Sequence, residues 1–204
     1  MTLRLISPPR ADGLALRADF ESVGDFFRHR ISVIAGDTET SVGWESVAPG
    51  DEPAWPRSPP IQELSLESVA GRDCLLGVGR AGKSHWSLSV ETAADGELRF
   101  DFACRCSEPP RWLGSTYQPL SRSAAGLSAA VAPGAVAPGA VAQGAVAQGA
   151  ATQAPLSPMP PAFDGQLGTA IRPAVDGSLR IEPERLPDQW PGTVRWCYRV
   201  TVAN

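Results

Sequence analysis

Residues 84–92 read Ser-His-Trp-Ser-Leu-Ser-Val-Glu-Thr, with Trp86, Leu88 and Val90 separated by polar residues. Successive side chains of a strand point to opposite faces, so this period buries one face and leaves the other to solvent. The same alternation recurs at 14–20 and 27–33. It returns at 194–202, where Val194, Trp196, Tyr198, Val200 and Val202 stand between Arg195, Cys197, Arg199 and Thr201. Further strand candidates are 40–47, 61–67, 73–79, 98–106, 166–172 and 179–182, punctuated by Gly, Pro and Asp. No segment carries the 3.6-residue period of an amphipathic helix. About nine or ten strands with turn residues between them predict an all-β fold: an antiparallel β-sandwich or, alternatively, an open barrel.

Residues 84–106 define a hairpin whose register follows from chemistry. A two-residue turn at Asp95-Gly96 would set Val90 against Asp101, apolar against charged. A three-residue loop, Ala94-Asp95-Gly96, with Gly96 in the left-handed region, removes the conflict. Val90 then faces Phe100, Leu88 faces Phe102 and Trp86 faces Cys104. On the other face Glu91 meets Arg99, Ser89 meets Asp101, Ser87 meets Ala103 and His85 meets Arg105.

From Val131 the chain repeats Val-Ala-Pro-Gly-Ala twice and Val-Ala-Gln-Gly-Ala twice, and no charged residue occurs between Arg122 and Asp164. Small side chains with Gly or Pro in every pentad cannot bury enough surface to offset backbone ordering. The tract therefore reads as a flexible, disordered low-complexity insertion at 121–162 between the main part of a β domain, 1–120, and its completing strands, 163–204. Some forty residues rarely bury a core alone, so the C-terminal strand is expected to join the same sheet system.

A net charge of −4 over 204 residues, without clustering of either sign, gives no electrostatic footprint for nucleic acid or an anionic membrane. No stretch offers eighteen consecutive apolar residues for a membrane span, so a cytoplasmic protein is expected. The cysteines, Cys74, Cys104, Cys106 and Cys197, then read as free thiols. Cys104 and Cys106 share a strand face about 6.5 Å apart along the strand, unlike the turn-borne pairs of zinc sites. They read as small core residues, and neither metal nor cofactor is expected.

Gly77-Val78-Gly79-Arg80-Ala81-Gly82-Lys83-Ser84 matches the phosphate-binding pattern G-x-x-x-x-G-K-[ST], and Lys83 is the sole lysine among eighteen basic residues. If the resemblance holds, Gly77, Gly82, Lys83 and Ser84 cradle phosphate and magnesium. Such a loop needs a helix starting at Lys-Ser, and the period-two stripe after Ser84 predicts a strand instead.

Two surfaces remain as candidate ligand sites. His85, Ser87, Ser89, Asp101 and Arg105 share one face of the hairpin; they include the ingredients of a nucleophilic triad, but a flat face does not place histidine between serine and carboxylate. Trp55, Trp112 and Trp190 lie in proline-rich turns, where they either cap the core or form a stacking platform for sugars. Trp44, Trp86 and Trp196 fall within strands and read as core. His29, on an apolar stripe, reads as a hydrogen-bonded core residue. These features favour a non-enzymatic binding or protein-interaction module for a protein or small-molecule partner; a nucleotide-binding protein and a carbohydrate-binding sandwich are the alternatives.

Overall fold

The period-two segments assemble, in a computed structural model describing residues 1–50, 54–120 and 159–203, into two antiparallel sheets packed as a sandwich. In chain order the strands are β1 (Thr2–Ile6), β2 (Leu14–Val23), β3 (Phe26–Ala35), β4 (Thr38–Ser46), β5 (Ile61–Val69), β6 (Arg72–Ala81) and β7 (Ser84–Thr92). They continue as β8 (Glu97–Cys106), β9 (Ser115–Pro119), β10 (Ala162–Gln166), β11 (Thr169–Pro173), β12 (Leu179–Pro183) and β13 (Gly192–Thr201). Among the described residues there is no helix. The first sheet has the order β1-β2-β3-β4-β9-β12-β11 and the second β10-β13-β8-β7-β6-β5. These are two separate sheets, so the sandwich holds and the open barrel does not. The pentad repeat lies outside the described residues.

The hairpin β7–β8 has the register that its chemistry requires, with Trp86 opposite Cys104, Leu88 opposite Phe102 and Val90 opposite Phe100. Gly96 takes a φ of 68°, the left-handed value that a three-residue loop needs. β13 pairs with β8 over ten residues, from Gly192 opposite Cys106 to Thr201 opposite Glu97. Strands from both sides of the tract therefore meet in each sheet: β10 and β13 in the second, β11 and β12 in the first.

Two of the expected strand bounds change, and two strands are new. Segment 166–172 is not one strand: Leu167 and Gly168, at φ of 50° and 70°, turn the chain from β10 in one sheet to β11 in the other. β10 begins at Ala162, inside the expected insertion. β1 and β9, both of five residues, were too short and too close to prolines to show a period.

Between the sheets the apolar halves of the stripes interlock. Trp196 is fully buried, stacked on Phe102 with ring centroids 5.4 Å apart and set edge-on to Trp86 at 5.9 Å. Phe100 stacks on Tyr198 at 5.3 Å. Trp44 departs from the core reading: it is half-buried, held by Phe163 at 5.8 Å and by donation from its indole N–H to the Pro161 carbonyl at 3.0 Å.

Candidate functional site

Residues 77–84 form strand, turn and strand. Gly77 pairs with Leu88, Gly79 with Trp86 and Ala81 with Ser84, so the turn between the strands is confined to Gly82 and Lys83. Gly82, with φ of 55°, occupies the first position of this two-residue turn. Ser84 is buried while Lys83 is exposed, and β7 begins where a phosphate loop would begin its helix. The glycines have a packing cause: a Cβ on Gly79 would stand 1.8 Å from the Pro60 carbonyl oxygen, and one on Gly77 would stand 2.7 Å from Ile61 Cγ2.

The outer face of β7 and β8 brings together the expected polar set in the expected pairs, His85 beside Arg105 and Ser89 beside Asp101. Asp101 is already engaged, 2.6 Å from Arg195 and 3.5 Å from Arg99, and Arg99 also holds Glu91 at 2.9 Å. His85 lies four residues along the ladder from the Asp101 pair, roughly 13 Å at the rise of a strand. Serine, histidine and aspartate therefore share a face without forming a relay.

The tryptophans divide. Trp190 packs against the core, partly buried, and does not line the cleft that holds the other two. Trp55 and Trp112 line one open cleft of about 500 Å³ on the outer side of the first sheet. The sheet supplies its floor: Thr116 and Gln118 alternate outward from β9 around the fully buried Tyr117, and Arg180 of β12 pairs with Thr116. The segment around Trp55 is tied down beside β9, because Thr116 donates its hydroxyl to the Arg57 carbonyl at 2.7 Å and Ser58 donates to the Thr116 carbonyl at 3.2 Å. Trp55, only 8 % exposed, is a rigid wall continuous with the core, whereas Trp112 is half-buried and offers more of its surface.

Most polar groups of this cleft already have partners. Gln118 donates to Glu45 at 3.3 Å. Asp176 accepts from the Ser178 hydroxyl at 2.6 Å and from the Ser178 backbone N–H at 3.0 Å, and these bonds hold its carboxyl below the usual range. Arg57 and Arg180 are different: both are exposed, and among the described residues neither has a carboxylate within 4.0 Å.

A second polar cluster is sealed in the core. His29 Nε2 lies 2.6 Å from the Tyr117 hydroxyl, and its ring stacks between Phe20 at 4.7 Å and Phe100 at 5.6 Å. Burial lowers the imidazole pKa to about 3, so this is the hydrogen-bonded core histidine that the stripe predicted. Cys104 and Cys106 are also fully buried, but their sulfurs lie 3.5 Å apart because the two side chains lean together, closer than the strand spacing. Their contact, and then burial, push the Cys104 thiol well above its ordinary range. All four cysteines are free, and among the described residues no cluster of His, Cys, Asp and Glu could hold a metal.

Sequence reasoning found the two tryptophans but missed Arg57, Thr116, Gln118, Asp176, Ser178 and Arg180 as their neighbours. The one available signal was the Asp176-Gly177-Ser178 turn, which reads only as a local backbone cap. Among the described residues, no helix is long and apolar enough to cross a membrane. Comparison of the chain with family models, curated proteins and solved structures finds no match.

Proposed function

We propose that this chain is a non-enzymatic binding module and that it holds a small saccharide in the cleft between Trp55 and Trp112. The observation that carries this reading is the convergence, in one cleft of about 500 Å³, of two loop tryptophans far apart in sequence. An indole ring presents a flat apolar face to the C–H face of a sugar, while polar groups around it meet the hydroxyls. Anchoring of the Trp55 segment to Thr116 supports a preformed site, which lowers the ordering cost of binding. Four free, buried cysteines favour the cytoplasm as its compartment. The phosphate-loop alternative lacks comparable support, since Ser84 faces the core.

A glycan array probed with the full chain tests the proposal. We expect selective retention of a small set of glycans, lost in Trp112→Ala, whose half-buried ring can be removed while the fold is kept. Absence of retention, or retention unchanged in that variant, would contradict the reading.

A further inference from the structure

We infer that the saccharide taken by the Trp55–Trp112 cleft is acidic, with a carboxylate held by Arg57 and Arg180. This inference rests on the saccharide reading of that cleft and specifies the ligand's charge.

The outer face of the first sheet pairs its arginines as a rule. Arg4 holds Asp19 at 2.6 Å, Arg17 holds Asp19 at 2.7 Å and contacts Glu39, and Arg172 holds Glu182 at 2.6 Å. Arg28 and Arg30 both approach Glu45, at 3.4 and 3.6 Å. On that same face Arg180 breaks the rule, and Arg57 joins it across the cleft; among the described residues neither finds a carboxylate partner.

The remaining polar groups do not compete for a ligand. Thr116 is committed to the Arg57 carbonyl, Ser178 to Asp176 and Gln118 to Glu45. Among the described residues that line the cleft, Asp176 is the one acidic residue against two guanidiniums, so together they carry a net positive charge. Its carboxylate attracts Arg180 from a distance but spends its shortest bonds on Ser178. The uncommitted groups are therefore planar, permanently charged forks, which match a carboxylate bidentately. An indole wall beside such forks fits a ring that carries an acid group, as uronic and sialic acids do.

The test is calorimetric titration of the full chain with matched pairs: trigalacturonate against galactotriose, hyaluronan tetrasaccharide against chitotetraose, and sialyllactose against lactose. In at least one pair the acidic member should bind ten-fold or more tightly than its neutral counterpart. Arg180→Ala and Arg57→Ala should each abolish that preference while circular dichroism stays unchanged, and raised salt should weaken only the acidic ligand. Equal binding within every pair, or an acidic preference that survives both variants, overturns the inference and leaves the saccharide reading standing. If none of the six binds, that reading falls as well.

Discussion

The hydroxyls of Tyr117 and Tyr198 lie 2.5 Å apart at the centre of the sandwich, one contributed by β9 of the first sheet and one by β13 of the second. Tyr117 reaches His29 with the same oxygen, so it bridges two buried polar groups, His29 and Tyr198, whereas the Tyr198 hydroxyl meets Tyr117. Tyr117→Phe should leave two buried partners short of a bond, at about 1–3 kcal/mol each, and cost more than Tyr198→Phe. Urea unfolding of the two variants checks the order; equal or reversed costs would contradict it.

The hairpin β7–β8 was legible because each face carries its own chemistry: a one-residue slip sets Val90 against Asp101, and Gly96 permits the loop that avoids it. The break at Leu167 was not, because a leucine at φ of 50° breaks the usual residue preference and the turn is recognisable only once β10 and β11 lie in different sheets. The cleft was half legible. Trp55 and Trp112 advertise themselves in proline-rich turns, but Thr116 and Arg180 become neighbours only through the pairing of β9 with β12, a long-range relation with no local signal.

Stability should fall as the solution is acidified, through His29. The unfolded imidazole binds a proton near its ordinary 6.5, while the buried ring resists to about 3. The depressed value makes the contribution full above 6.5 and loses it as pH falls from there toward 3, by about 1.4 kcal/mol per pH unit. Unfolding free energies at pH 7, 6 and 5 should show this slope as the difference between the native chain and His29→Phe. Parallel slopes would contradict it.

The glycines of the phosphate-like motif should matter for packing and its lysine should not. Gly79→Ala places a methyl carbon against the Pro60 carbonyl oxygen and should unfold or severely weaken the domain. Lys83→Ala, at an exposed turn, should change stability by no more than about 0.5 kcal/mol. Thermal melts of both variants decide between a packing role and a phosphate role, and tight ATP binding abolished by Lys83→Ala would reverse the conclusion.

Trp196 should be the costliest single side chain of β13. Its truncation to alanine removes the stack on Phe102 and the contact with Trp86, leaving a cavity worth about 3–5 kcal/mol. That is a large share of the roughly 5–15 kcal/mol available to a typical domain. Equilibrium unfolding with a loss below about 1 kcal/mol would show that the β13 stripe is not integral to the core.

The six tryptophans provide the most direct test of the cleft as the binding site, because each indole N–H gives its own nitrogen–proton NMR signal. Titration with the saccharides retained on the array should shift the assigned signals of Trp112 and Trp55 together, while Trp86 and Trp196 in the core stay in place. Shifts centred instead on Trp190, or on the backbone amides of His85, Ser87 and Arg105 with Trp112 unmoved, would place binding elsewhere and contradict the account.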